Sequence, residues 1–216
     1  MDIKLAVFDF DGTIADTRKT IVIAKQQAMK QLGLEVKDEE TCASTIGLSA
    51  KAGFKKTYPD ISEELLNECV ILYRKLFDEV KSTMPPEIFP GVLETLDWLK
   101  EQGIKLTIAT SRNTASLKEF VAALNLSKYF SYMLGGDDTK LLKPNPEPVM
   151  KTQKDLFFSP EQTLVIGDMP VDIAMGKGAD AYTCGVTYGN ATREQLREAG
   201  ADFIVDKMQE LRDIIK

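Results

Sequence analysis

The stretch LAVFDFDGTIADT, residues 5–17, begins as an apolar run fit for a buried strand and then changes character. Leu5 to Phe8 lead directly into two carboxylates, Asp9 and Asp11, followed by Gly12 and Thr13. Carboxylates are costly to bury unless something compensates them, so a strand that ends this way points to a partner for the charge. Further strand-like runs recur along the chain: Ile104 to Thr110, Tyr129 to Leu134, Thr163 to Asp168, Ala181 to Thr187 and Asp202 to Val205. Helical patterns separate them, and strands alternating with helices predict a parallel sheet covered on both faces. One such helix reads GVLETLDWLKEQG, with Val92, Leu93, Leu96 and Leu99 as its apolar face and Gly103 as its stop. From about Thr17 to Met84 the patterns are helical only, closing on Met84-Pro85-Pro86. The predicted fold is α/β: a Rossmann-like parallel sheet core, residues 1–14 and 85–216, with an inserted all-helical cap domain over residues 15–84.

Composition narrows the chemistry. At 216 residues and 44% apolar content the chain has enough material for one large core, or for a core with a smaller insert. A net charge of −6 without a Lys/Arg cluster argues against nucleic acid or an anionic membrane as partner. The start MDIKLAVFDFDG lacks the basic and apolar signature of a signal peptide, and no apolar run is long enough to span a bilayer. Cys42, Cys69 and Cys184 are odd in number and set in apolar surroundings, which reads as reduced core thiols and a cytoplasmic location. Met29, Met150 and Met175 fall in helical patterns as core filler. Histidine is absent. That removes the Ser-His-Asp triad, the Cys-His pair and the common zinc sites, leaving Asp, Glu, Lys, Arg, Ser, Thr and a cation to carry any catalysis.

Open parallel sheets bind ligands outside the carboxyl ends of their strands. There the sequence supplies Asp9 and Asp11, then Thr110, Ser111 and Arg112, then Lys143 in LLKPNPEP, then Asp168 with Asp172 one turn into the next helix. Magnesium takes hard oxygen ligands, and Asp9, Asp168 and Asp11, the last through its main-chain carbonyl, are candidate donors. A carboxylate with a reference pKa of about 4 is ionised at neutral pH, so Asp9 is able to attack phosphorus without a histidine base. Asp11 then serves as acid and base, Lys143 as a point charge beside Asp9, and Thr110 with the backbone after it as donors to phosphate oxygens. Each residue also has a plainer reading. Asp9 and Asp11 suit a strand-end turn, Thr110 and Ser111 a helix cap, Lys143 a solvated loop, Asp172 a helix start and Gly47 a helix stop.

Taken together, DFDGT (9–13), Thr110, Lys143 in KPNPEP and GDMPVD (167–172) resemble the four ordered motifs of the haloacid dehalogenase superfamily. The helical insert after the first motif resembles the cap of its phosphoglycolate phosphatase-like branch. The resemblance implies Asp9 as nucleophile, Asp11 as acid/base, Asp168 as a Mg²⁺ ligand with Asp172 in support, and a substrate that is a small phosphorylated metabolite. TIGLSA (45–50) resembles the cap loop that closes over substrate, which makes Gly47 a candidate substrate contact beside Ser111, Arg112 and Lys143. The rivals are a β-phosphoglucomutase-like mutase, whose usual cap histidine this chain lacks, an inorganic pyrophosphatase, and an aspartyl-phosphate signalling module. One departure is Gly176, which is expected to weaken the helix after GDMPVD.

Overall fold

A computed structural model describes residues 1–215. In chain order the elements are β1 (Leu5–Phe8), β2 (Ala15–Asp16), α1 (Arg18–Gln31), α2 (Glu39–Ala43), α3 (Ala50–Thr57), α4 (Glu63–Thr83) and β3 (Glu87–Ile88). They continue as α5 (Val92–Glu101), β4 (Lys105–Ala109), α6 (Thr114–Ala123), β5 (Tyr132–Leu134), α7 (Glu147–Leu156), β6 (Thr163–Gly167), α8 (Pro170–Gly178), β7 (Tyr182–Val186), α9 (Arg193–Glu198), β8 (Phe203–Val205) and α10 (Leu211–Ile214). Six strands form one parallel sheet in the order β5-β4-β1-β6-β7-β8. These are the six runs expected from sequence, and β1 is fully buried because helices cover both faces.

The chain leaves β1 toward β4 and β5 and then returns to β6 on the other side, so the strand order reverses at β1. That is where an open α/β sheet splays its loops apart and leaves a crevice. Register sharpens the point. Phe8 sits opposite both Ile108 and Ile166, so Asp9, Thr110 and Asp168 emerge close together from neighbouring strands. The Asp9 amide still donates to Ile166 O at 2.8 Å, and the Thr110 amide to Leu134 O at 3.0 Å.

Helices α1–α4 all lie between β1 and β4. The chain goes out through β2 and comes back through β3, and the two pair antiparallel, Ala15 opposite Ile88 and Asp16 opposite Glu87. Asp38, Ser49 and Ser62 cap α2, α3 and α4 by accepting from Thr41 N (2.7 Å), Ala52 N (3.2 Å) and Leu65 N (3.2 Å). An aromatic chain joins this layer to the sheet. It runs Phe54, Tyr73, Phe77, Phe120, Phe10, with successive ring centroids 5.6–6.0 Å apart.

Two expectations need correction, those for Leu93 and Met150. Leu93 is exposed, because the buried stripe of α5 is Val92, Thr95, Leu96 and Leu99 and a step of one residue turns the helix away from it. Met150 is likewise exposed, whereas Met29 and Met175 are buried. Gly176 does not break α8, which runs on to Gly178. A Cβ there would stand 2.5 Å from Thr183 Cγ2 and 3.0 Å from Val165 Cβ, so glycine lets the helix lie close on the sheet. All three cysteines are buried and unbridged. Among the described residues no helix is long and apolar enough to cross a membrane.

Candidate active site

The turn after β1 is wound around the Phe10 carbonyl, which accepts from the amides of Ile14 (3.0 Å) and Ala15 (3.1 Å). Gly12 sits in it at φ +94°, and a Cβ would run into the Asp168 carboxylate and the Asn190 amide. Only glycine meets both conditions, a left-handed backbone and contact with Asp168. Asp168, just past β6, accepts from Thr13 Oγ1 (3.3 Å), Asn190 N (2.8 Å) and Asn190 Nδ2 (2.7 Å). Asp172, in the first turn of α8, accepts from Met169 N at 3.0 Å.

Lys143 lies between two of these acids with its side chain 1% exposed. Its ammonium donates to Asp9 Oδ1 and stands 2.6 Å from Asp172 Oδ1, an ion pair too oblique to count as a directed hydrogen bond. The plain reading of Lys143 as a solvated loop residue is therefore wrong. Asp9, Asp168 and Asp172 each bring a carboxylate oxygen to within 4.8 Å of the others. Asp9 Oδ2 is buried with no hydrogen-bond partner. Burial pushes the Asp9 carboxyl well above the usual range, opposed by Lys143 and reinforced by Asp172, Asp168 and Asp11. Asp168 is pushed up to about 7 by burial and by Asp172, against the Asn190 donors and Lys143. Burial alone would lower Lys143, but Asp172 and Asp9 outweigh it and hold the ammonium charged. Three carboxylates around one lysine leave excess negative charge in a dry pocket. An all-oxygen donor set with an orphaned oxygen fits a hard divalent cation.

The Asp11 carboxylate lies outside that trio. Arg112 holds both its oxygens, Nε to Oδ2 at 3.1 Å and Nη2 to Oδ1 at 2.5 Å. The guanidinium is stacked between Phe77 of α4 and Phe120 of α6, 4.6 Å from each ring centroid. Burial would lower the Arg112 guanidinium, but Asp11 more than restores its charge. Thr110 and Ser111 do not cap α6; Asn113 does, accepting from Ser116 N at 2.9 Å. Thr110 Oγ1 accepts instead from Arg112 N (3.2 Å), and Ser111 Oγ donates to Gly47 O (2.7 Å), linking the sheet edge to the helical layer.

A cavity of about 420 Å³ opens between sheet edge and helices, walled by Asp9, Asp11, Thr110, Ser111 and Arg112 on one side and by Lys25, Thr45, Gly47 and Tyr73 on the other. Lys143, Asp168 and Asp172 are not in that wall. All eight core candidates of the sequence thus meet at one strand edge, and Gly47 faces them. Sequence reasoning missed three residues. Asn190 holds Asp168, Tyr188 OH donates to Thr13 O at 2.8 Å, and Lys25 is buried in the cavity wall. A signal for Lys25 existed: it stands four residues after Ile21 and four before Met29, a lysine inside an apolar stripe.

Comparison with known proteins agrees with the fold. The chain is 35% identical over 209 residues to the probable phosphatase IndB of Dickeya dadantii (strain 3937), covering 96% of this chain and 91% of that protein. It is 32% identical over 230 residues to the phosphoglycolate phosphatase of Salmonella paratyphi A (strain ATCC 9150 / SARB42), covering 97% and 91%. A crystal structure of a predicted phosphoglycolate phosphatase from Haemophilus somnus 129PT superimposes with a TM-score of 0.91 over 100% of this chain and 99% of that one, at 24% identity, a likeness of fold. Residues 6–186 match the family described as haloacid dehalogenase-like hydrolase, and the chain belongs to that family.

Proposed function

We propose that the protein is a Mg²⁺-dependent phosphatase that hydrolyses a small phosphorylated metabolite, with 2-phosphoglycolate the leading candidate, by transferring the phosphoryl group to Asp9. The observation that carries this reading is Asp9 itself. One carboxylate oxygen is held by Lys143 and the other is buried and partnerless, on a residue that lines the cavity. An anionic oxygen left bare in this way is stabilised when a cation or an electrophilic phosphorus reaches it. Relatives named phosphatase and phosphoglycolate phosphatase support the substrate class.

In this reading Asp9 attacks phosphorus, the Asp9 O–P bond forms and the ester P–O bond breaks. Asp11, with one of its Arg112 contacts opened, carries the proton that it gives to the departing oxygen. Water then attacks the phosphorus of the aspartyl-phosphate, Asp11 takes a proton from it, and inorganic phosphate leaves with Asp9 restored. Lys143 opposes the upward push that burial gives the Asp9 carboxyl and aims it, and Thr110, the Ser111 amide and Arg112 offer donors to the phosphoryl oxygens. Arg112 also fixes Asp11, whose oxygens retain lone pairs for the moving proton. Asp9, Asp168, Asp172 and the Asp11 carbonyl would hold Mg²⁺, whose charge would offset the repulsion between carboxylate and phosphoryl group. The helices α1–α4 act as a cap that keeps bulk water from the intermediate. The test is phosphate release from a panel of small phosphoesters, with Mg²⁺ and after chelation. Release that depends on the metal is expected, and release that survives chelation contradicts the ligand set.

A further inference from the structure

Lys25 does something that neither the strand-end chemistry nor the fold requires. It is 5% exposed, lies in α1 and forms part of the cavity wall. Its ammonium donates to Cys42 O at 3.0 Å and to Thr45 Oγ1 at 2.5 Å. Both acceptors are neutral; the carboxylate that acts on Lys25 is Asp11, which lines the same cavity but is paired with Arg112 and, like every carboxylate among the described residues, lies beyond the 4.0 Å ion-pair distance of Lys25. The other buried cations are differently placed, Lys143 between Asp9 and Asp172, Arg112 on Asp11. An ammonium has three protons, and two are used here. A neutral amide would staple the Cys42–Thr45 turn to α1 equally well, without the cost of burying a charge. Burial lowers the ammonium to about 8, which leaves it mostly charged at neutral pH. The same turn continues to Gly47, whose carbonyl accepts from Ser111 Oγ, so Lys25 is tied by a few residues to the phosphate end of the cavity.

We propose that Lys25 is a specificity-determining residue that binds a second anionic group on the substrate, so that the enzyme selects small phosphoesters with a negatively charged tail over those with a neutral one. The inference rests on the phosphatase reading and deepens it. The missing counter-charge of Lys25 is supplied by the ligand: a carboxylate, or the second phosphoryl group of a diphosphate.

The test measures kcat and KM with Mg²⁺ for 2-phosphoglycolate, pyrophosphate and 2-hydroxyethyl phosphate, the last with a neutral tail of matching length. It is run on the wild type, Lys25→Gln and Lys25→Arg. Wild type is expected to favour at least one anionic-tailed substrate through a lower KM, and which one tells carboxylate from phosphate. In Lys25→Gln the kcat/KM ratio of that substrate to 2-hydroxyethyl phosphate should fall at least about tenfold, the loss of one charge-assisted hydrogen bond, mainly through KM. Lys25→Arg should return most of the ratio. An unchanged ratio in Lys25→Gln, with both substrates weakened alike, makes Lys25 a staple only and overturns the proposal. If Lys25→Gln fails to fold, the wild type decides, since equal KM values for charged and neutral tails overturn it too. Release from none of the three defeats the phosphatase reading itself; release with the wrong ratios defeats Lys25 alone.

Discussion

The two walls of the cavity follow different rules. On the sheet side, in the wall and directly behind it, polar groups are crowded and paired: Arg112 on Asp11 in the wall, and behind Asp9 the groups Lys143, Asp172, Asp168 and Asn190. On the helical side Lys25 is the buried cation, held by a carbonyl and a hydroxyl, in a wall that mixes aliphatic and aromatic side chains with the less buried Lys51, Arg74 and Asp78. Strand ends come together because the topology forces them to, so the sheet side receives whatever residues follow β1, β4 and β6. Helical side chains reach the cavity one by one, from separate turns of α1, α3 and α4, and most of the polar ones stay partly exposed. In the proposed function the contrast separates chemistry from selection, and it can be attacked from both sides.

The largest effect belongs to Asp9. Asp9→Asn should lower turnover by at least about a thousandfold in a phosphate-release assay, while the melting temperature holds or rises, because a buried, repelled carboxylate has been removed. Substantial residual activity would remove the sheet side from the chemistry. Lys143→Met comes next. It leaves Asp9 and Asp172 facing each other without a counter-charge, and breaking a buried pair from one side costs about 3–5 kcal/mol. Urea denaturation of the metal-free variant should show that loss, with kcat falling about a hundredfold or more. Lys25→Gln is the matched case on the helical side, and a comparable loss of kcat there would erase the distinction between the walls.

Smaller effects test the scaffold and the charge crowding. Gly176→Ala, whose methyl group meets Thr183 and Val165, should cost about 1–3 kcal/mol by overpacking in thermal or urea melts, without altering KM. A neutral result would mean that α8 is free to move off the sheet. The last effect is a slope with pH. Asp168 has a folded-state pKa of about 7 against an ordinary value of 3.8, so between about 4 and 7 the folded, metal-free protein binds a proton that the unfolded chain does not. Its contribution to stability is full below that window and is lost as pH rises through 7. The melting temperature of chelated protein should therefore fall from pH 5.5 to 7.5, by roughly the few degrees that a kcal/mol is worth, and Mg²⁺ should cancel the trend. A rise over the same range contradicts the crowding.

The same contrast explains what the sequence made legible. Asp9, Asp11, Thr110 and Asp168 were readable because they follow apolar strand runs closely, and a strand end has a known place in a parallel sheet; Lys143, in a turn well past β5, was readable only through its KPNPEP motif. Asp172 follows from the helix start after β6. The pairing of Arg112 with Asp11 was not readable, since a contact between residues 101 apart depends on how far a side chain reaches across the crevice. Thr110 and Ser111 fitted a capping rule as well as a phosphate rule until Asn113 was seen to take the cap. Leu93 and Met150 fell on apolar residues near a stripe but off it, where one residue of helical phase decides burial. Gly176 is unfavourable by propensity alone, and only the nearness of Thr183 reveals its use. Lys25 was hidden for the opposite reason, as one charged residue in a stripe that otherwise reads as core.

The central claim is that Asp9 carries the phosphoryl group. The most direct measurement is acid quenching of the enzyme during turnover of its best phosphoester with Mg²⁺, followed by mass spectrometry of the peptide that contains Asp9. The account predicts that this peptide gains the mass of one phosphoryl group at Asp9, that the label disappears on further incubation, and that Asp9→Asn never acquires it. Rapid phosphate release with Asp9 unmodified at every quench time would contradict the account.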